Sequence, residues 1–201
     1  MEDRETKYYH SLYEIAAALN SLRQPDSILQ SIVGSVASSL DAKGCSLMLL
    51  TPDKRLLVHA VAWGLSDWYV RKGPVSADRS ISEALLGRPV AVFDATEDER
   101  IQYRNQARQE GIASILCSPV TLREEAVGVL RVYTAEPRHF TYSDIYFVGA
   151  VANLGAIALE NARLYDSVKK DYEELRQDLA RWSAALGWEW MAGDLVVPFP
   201  D

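Results

Sequence analysis

The stretch Ser114-Ile-Leu-Cys-Ser-Pro-Val-Thr-Leu122, Arg123-Glu124-Glu125, Ala126-Val-Gly-Val-Leu-Arg-Val-Tyr-Thr134 decides the fold. Two runs rich in β-branched and aliphatic residues flank a short charged joint, which reads as an antiparallel hairpin. Pro119 has no N–H to donate, so its arm is expected to carry a bulge or expose an edge there. A second hairpin is legible upstream. Residues 45–50 and 56–63 are its arms, and Thr51-Pro52-Asp53-Lys54 joins them with proline at the second position of a tight turn. Residues 89–93 add a short strand.

Helical patterns lie at both ends of this sheet. Over residues 8–22, Tyr8, Leu12, Ile15, Leu19 and Leu22 are spaced four, three, four, three, a seam of the coiled-coil kind. Pro25 disfavours helix at Gln24, and Asp26 can cap the second helix. Over residues 27–40, Leu29, Ile32, Val33, Val36 and Leu40 form one apolar stripe, and Gly44 lies just beyond. Residues 64–79 are irregular. Ser80-Ile81-Ser82-Glu83 reads as a capping box opening a short helix that ends at Gly87. Residues 94–99 read as a polar loop, and 100–110 as a helix stopped by Gly111. Thr141-Tyr142-Ser143-Asp144 is a second capping box, with Phe140 and Ile145 at the staple positions.

From there a helix is predicted to run unbroken to about residue 182. Gly149 and Gly155 within it each cost up to ~1 kcal/mol relative to alanine, which close packing on the sheet would explain. Farther on, Ala158, Asn161, Tyr165, Val168, Tyr172, Leu175, Leu179 and Trp182 keep a three-four alternation among charged residues, a coiled-coil pattern in which Asn161 would set register. The expected arrangement is a homodimer with Leu12, Leu19, Tyr165, Val168, Tyr172, Leu175 and Leu179 at the interface. The chain divides on this reading into a domain over 1–165, a heptad helix over 157–182 and an apolar tail over 183–201. The tail holds Trp188, Trp190 and Met191 and should dock on the domain or on a partner.

Composition bounds the function. The chain has 201 residues, 48% hydrophobic and 24% charged, with a formal net charge of −7. Such a charge argues against non-specific nucleic-acid binding, which needs Lys and Arg to neutralise phosphates. The N-terminus is charged and no signal-type apolar core comes after it. No run is expected to approach the ~18 apolar residues of a membrane span, so the expected location is the cytoplasm. Cys45 and Cys117 sit in apolar runs and read as small buried hydrophobes. His10, His59 and His139 match no metal-ligand spacing.

Three segments in order resemble a GAF domain: Arg88-Pro-Val-Ala-Val-Phe-Asp-Ala-Thr-Glu-Asp-Glu-Arg100, then Glu110-Gly-Ile-Ala-Ser-Ile-Leu-Cys-Ser-Pro-Val120, then Val127-Gly-Val-Leu-Arg-Val-Tyr133 with Arg138-His-Phe-Thr141 and Asp144. The resemblance covers about residues 5 to 165. It implies an α+β, profilin-like fold: an antiparallel sheet of five to six strands, terminal helices on one face, and short helices and loops over a small-molecule pocket on the other. It also implies a sensory or regulatory role in signal transduction, in which ligand or partner state passes along the terminal helices to an output protein or a second protomer.

Particular ligand chemistries of the family find little support in the residues. No cysteine lies between Cys45 and Cys117 to attach a bilin, and neither metal nor haem is expected. The cyclic-nucleotide pattern fails, with Gly87-Arg88 and Glu97-Asp98 where it needs other residues. Two cysteines, both on strands, are a poor basis for the thiol relay of free methionine sulfoxide reduction, the alternative enzymatic reading. A ligand-free interaction scaffold is the other alternative. The pocket candidates are Trp63, Trp68, Ile81, Leu85, Phe93, Asp94, Thr96, Tyr103, Leu116, Ser118 and Tyr133, with Arg100 and Arg131 to anchor a carboxylate or phosphate. No catalytic residue is expected, and the ligand's identity stays open.

Overall fold

The computed structural model describes residues 4–20, 25–78 and 82–186. Leu22, the cap residue Ser80, the pocket candidate Ile81 and the tail from residue 187 lie outside the described residues.

The two hairpins build one sheet. Its strands are β1 (Gly44–Leu50), β2 (Leu56–Trp63), β3 (Val75–Ser76), β4 (Val90–Val92), β5 (Ser114–Leu122) and β6 (Glu125–Thr134). The order is β3-β2-β1-β6-β5-β4, with every pair antiparallel. The hairpins meet where β1 pairs with β6, from Gly44 opposite Tyr133 to Leu49 opposite Gly128. A Cβ at Gly128 would stand 2.2 Å from the Met48 carbonyl oxygen, so only glycine admits this approach. The β5–β6 joint is tighter than the sequence suggested. Arg123 (φ 50°) and Glu124 (φ 68°) make a two-residue left-handed turn, and Glu125 already pairs with Leu122. Past Pro119 the register shifts between Val120 and Thr121, and β4 ends opposite Cys117, so β5 has both a bulge and a free edge. The two-residue β3 falls in a segment that reads as irregular and supplies the sixth strand.

One face of the sheet carries the long helices α1 (Arg4–Leu19), α2 (Pro25–Ser39) and the start of α6 (Tyr142–Leu186). Pro25 is the first residue of α2, where its missing N–H costs nothing, so the helix begins one residue before Asp26. The stripe Leu29, Ile32, Val33, Val36 and Leu40 is buried with Cys45, Leu47, Leu116, Leu130 and Val132 of the sheet. On α1, Tyr8 and Ile15 are buried and Leu12 and Leu19 are partly buried in this same core, so that seam is occupied within the chain.

The α6 capping box forms as read. The Asp144 N–H donates to Thr141 Oγ1 (3.2 Å) and the Thr141 N–H to Asp144 Oδ2 (2.8 Å). Asp144 does more than cap. It is fully buried, accepts from the Tyr8 hydroxyl of α1, and takes Arg138 Nη2 at 3.0 Å, while Arg138 Nη1 reaches the Leu40 carbonyl at the end of α2. Burial alone would raise the Asp144 carboxyl. The Tyr8 hydroxyl, the Thr141 N–H and Arg138 outweigh it and hold it below the usual carboxylate range. Gly149 has Ser118 Oγ at 3.7 Å from its notional Cβ, an ordinary contact, and Gly155 has nothing within 4 Å, so sheet packing does not require glycine at either position.

The chain divides by contacts into units Met1–Leu159 and Glu160–Asp201. In the second, α6 exposes Val168, Leu175, Leu179 and Trp182 among ion pairs such as Lys170–Glu174 (3.8 Å) and Glu173–Arg176 (3.3 Å). Ala158, the first heptad position, is instead buried in the first unit's core. Against the sequence expectation, α6 contains a stretch of mean hydropathy 1.3, long and apolar enough by length and composition to cross a membrane. Its Ile, Val, Leu, Phe and Ala residues raise the hydropathy, and Phe147, Val148, Val151, Ala152 and Ala156 are buried in the core.

Candidate functional site

The opposite face of the sheet is covered by the short helices α3 (Asp67–Val70), α4 (Ser82–Leu85) and α5 (Arg104–Glu110). Helix α5 starts later than predicted, because the Asp98 carboxylate takes the Arg100 N–H (2.9 Å) and the Ile101 N–H closes on the Asp98 carbonyl (3.0 Å). It ends at Gly111 (φ 72°) as read.

Strand alternation places Val129, Arg131 and Tyr133 of β6 on this face, with Ile115 and Cys117 of β5 and Met48 of β1. Arg131 is only 5% exposed, in the middle of the sheet and directly across from Cys117. The guanidinium donates a hydrogen bond to the Cys117 sulfur. Tyr133 is buried, its hydroxyl 3.0 Å from Ser46 Oγ, and the buried ring of Tyr69 meets it edge-on at 6.1 Å.

A second cation closes over this layer. Lys72 Nζ sits 3.7 Å above the Tyr69 ring, donates to the Tyr69 carbonyl (3.0 Å) and lies 3.3 Å from His59 Nε2. Burial, then Arg131, push the Lys72 ammonium down to about 8, with Glu110 opposing. Burial, then Lys72 and Arg131, push His59 down to about 3, so its imidazole is neutral at pH 7; His59 Nδ1 is buried without a hydrogen-bond partner. Glu110, at the end of α5, holds the start of α3. It accepts from the Ser66 N–H (2.8 Å) and the Ser66 hydroxyl, and Ser66 Oγ caps α3 by accepting from the Tyr69 N–H (3.3 Å). The site therefore concentrates positive charge against tyrosine rings inside an acidic protein.

Several predicted pocket residues join it. Arg131 and Tyr133 are central, and Leu85 and Tyr103 pack, partly buried, against the same core. The Tyr103 hydroxyl donates to the Pro74 carbonyl (3.0 Å). Others lie elsewhere. Trp63 is on the helix face, against Gly34 of α2, where it walls a polar groove of about 750 Å³ with Ser31 and Ser35. Leu116 is in the helix-side core, and Ser118 Oγ points toward Gly149 of α6. Trp68 is half exposed beside Tyr69. Phe93 is half exposed and stacks on His139 at 4.2 Å. Asp94 spends its carboxylate on the Thr96 N–H (2.9 Å) and hydroxyl (2.8 Å), and Arg100 pairs with Asp98 (2.6 Å).

Sequence reading missed His59, Lys72, Tyr69, Ser46 and Glu110. Only His59 carried a signal, as a polar residue two positions from the buried Leu57 on one strand. No group of three or more His, Cys, Asp or Glu that could hold a metal occurs among the described residues. Cys45 and Cys117 are free, buried and on opposite faces of the sheet. Burial raises both thiols, which keeps them protonated.

Sheet, end helices and covered face all have counterparts in known proteins. The sequence profile of the GAF domain matches residues 23–160. The chain belongs to the GAF domain family. That family is sensory and regulatory. Among solved structures, the GAF domain of a phosphoenolpyruvate-protein phosphotransferase from Coxiella burnetii superposes with a TM-score of 0.72 at 20% identity, over 83% of this chain and 99% of that one. A domain of a putative two-component sensor histidine kinase from Sinorhizobium meliloti gives 0.61 at 18%, over 75% and 98%. Free methionine-R-sulfoxide reductase from Neisseria meningitidis, in complex with its substrate, gives 0.68 at 17%, over 82% and 95%. At these identities the likeness is one of fold. No curated protein matches the sequence.

Proposed function

We propose that this GAF domain is a non-catalytic regulatory module that takes up a small anionic molecule against the Arg131 face of its sheet. It works as a cytoplasmic homodimer, paired through the second half of α6, and passes its state to a separate output protein. The observation that carries the ligand class is Arg131: a guanidinium buried in mid-sheet, with the Lys72 ammonium near it and held down by burial and then by that guanidinium. A carboxylate or phosphate there would gain charge-assisted hydrogen bonds in a weakly screened setting. The pairing reading rests on the heptad-spaced exposed residues Val168, Leu175 and Leu179.

Native mass spectrometry of gently purified protein tests the ligand. The expected result is a small-molecule mass carried by the wild type and lost in Arg131→Met. A bare mass in both would favour the second reading, a ligand-free scaffold, for which the packing of Tyr69, Tyr133 and Met48 on this face speaks. For the pairing, Leu175→Glu with Leu179→Glu should weaken the dimer in sedimentation equilibrium. An unchanged dimer overturns this seam.

A further inference from the structure

One serine of α1 is out of keeping with its surroundings. Ser11 is only 4% exposed, and its hydroxyl has no hydrogen-bond partner. A serine inside a helix can satisfy itself on the carbonyl four residues back. Ser31 of α2 does so, donating to the Ser27 carbonyl (2.8 Å). The Ser11 hydroxyl makes no such bond to the Lys7 carbonyl. A buried hydroxyl left without a partner is costly, and one that persists on a packed helix asks what fills its place.

Ser11 lines the polar groove of about 750 Å³ between α1 and α2. That volume lies within the ~300–1,000 Å³ of small-molecule sites. The α2 wall carries Ser27, Ser31, Ser35, Ser38 and Ser39. Toward the sheet, Trp63 is 41% exposed and lies against Gly34, while Gln30 Nε2 donates to the neighbouring Ala62 carbonyl (3.1 Å). The basic residues of the groove already stand beside acids. Lys7 Nζ is 3.7 Å from Asp41 Oδ1, and His10 Nδ1 is 3.8 Å from Glu14 Oε1.

We propose that this groove binds a neutral, polyhydroxylated molecule, a mono- or disaccharide, with a sugar ring on the Trp63 indole and hydroxyls along the serine wall to Ser11. The chemistry of the walls selects the class. An apolar ligand would strand the serine hydroxyls. An anion would meet the Glu14 carboxylate and cations that are already countered. A planar base is held best between two flat faces, and Trp63 is the one aromatic side chain among the described residues lining the groove. A sugar offers an apolar C–H face to the indole and hydroxyls that both donate and accept, as serine hydroxyls do. The groove is on the helix side of the sheet, so this site is separate from the Arg131 face and from the anion proposed there.

The test is a titration of the ¹⁵N-labelled full chain with glucose, galactose, maltose and trehalose. It is read at the Trp63 indole N–H, which Trp63→Phe identifies by its disappearance. The expected result is a saturating shift with at least one of these sugars. Ser11→Ala should then raise Kd by about fivefold or more, the loss of one hydrogen bond, with circular dichroism unchanged. No saturating shift with any of these sugars overturns the proposal, as does equal Kd in Ser11→Ala and wild type. An indole signal that moves with protein concentration and not with sugar overturns it in favour of a second copy in the groove. Thermal unfolding without sugar is a second readout. Ser11→Ala should melt above the wild type, because it removes the orphaned hydroxyl, a stability gain at a binding position. A lower melting temperature would show that the hydroxyl is already bonded within the chain, and overturns the proposal.

Discussion

The two faces of the sheet are made by the same strands and differ in chemistry. On β6, Leu130 and Val132 enter the helix-side core while the intervening Arg131 and the next outward residue, Tyr133, enter the other. The helix side is filled almost wholly by aliphatic side chains from α1, α2 and α6. The other side holds Arg131, Lys72, His59, Tyr69, Tyr133 and Ser46 within one connected layer. Three long helices cover that sheet face, so it is mainly apolar, with its buried charge confined to the Asp144–Arg138 pair at the start of α6. Short helices tied by loops leave polar groups to be satisfied locally, as Glu110 does for Ser66. The first face stabilises the fold, and the second carries the chemistry that could discriminate a ligand.

Adjacent residues on β6 make the sharpest test of that contrast. Leu130→Ala should lower stability by about 2–5 kcal/mol, since it removes buried methyl groups and leaves a cavity. Arg131→Met keeps a long side chain in the layer and leaves no comparable cavity, so it should cost less, at most about 1.5 kcal/mol. Urea unfolding of the two variants decides this, and equal losses would show that Arg131 is structural. The pH dependence of stability is the second test. With His59 held down to about 3 against an ordinary 6.5, the native state binds fewer protons than the unfolded chain between these values. Its contribution therefore lowers stability as pH falls through that window, by at most about 1.4 kcal/mol per pH unit. His59→Gln should flatten thermal stability against pH between 6.5 and 4 relative to wild type. An identical profile would place His59 in water rather than beneath Lys72. The smallest effect is expected at Gly155, which lies in helix with open space around it. Gly155→Ala should stabilise by up to about 1 kcal/mol in the same unfolding assay, and a loss would reveal a contact absent from the isolated chain.

How much of the site could be read from the chain depended on alternation. On β2, strict alternation would put Leu57, His59, Val61 and Trp63 on one face. The register instead shifts between Leu47 and Met48 of β1, pairing Leu47 with Val61 but Met48 with His59. The extra residue, Ala60, sends Val61 and Trp63 to the helix side, which is why Trp63 is not in the pocket it was expected to line. On β5 both faces are buried from Ser114 to Ser118, so the run shows no polar alternation to tell Cys117 from Leu116 or Ser118. Lys72 lies in a segment without periodicity, and its place over Tyr69 depends on a helical turn anchored by Glu110, forty-four residues away in sequence.

By itself the sequence determined the two hairpins, the apolar stripe of α2, the reciprocal cap of α6 and the family. Each of these is written in spacings of a few residues, where propensity and periodicity act. Only the tertiary structure decided which face each strand residue occupies, that the seam of α1 is closed inside the chain, and that Arg131, Lys72 and His59 meet. Those outcomes depend on strand register and on long-range packing, and a single bulge is enough to reverse them.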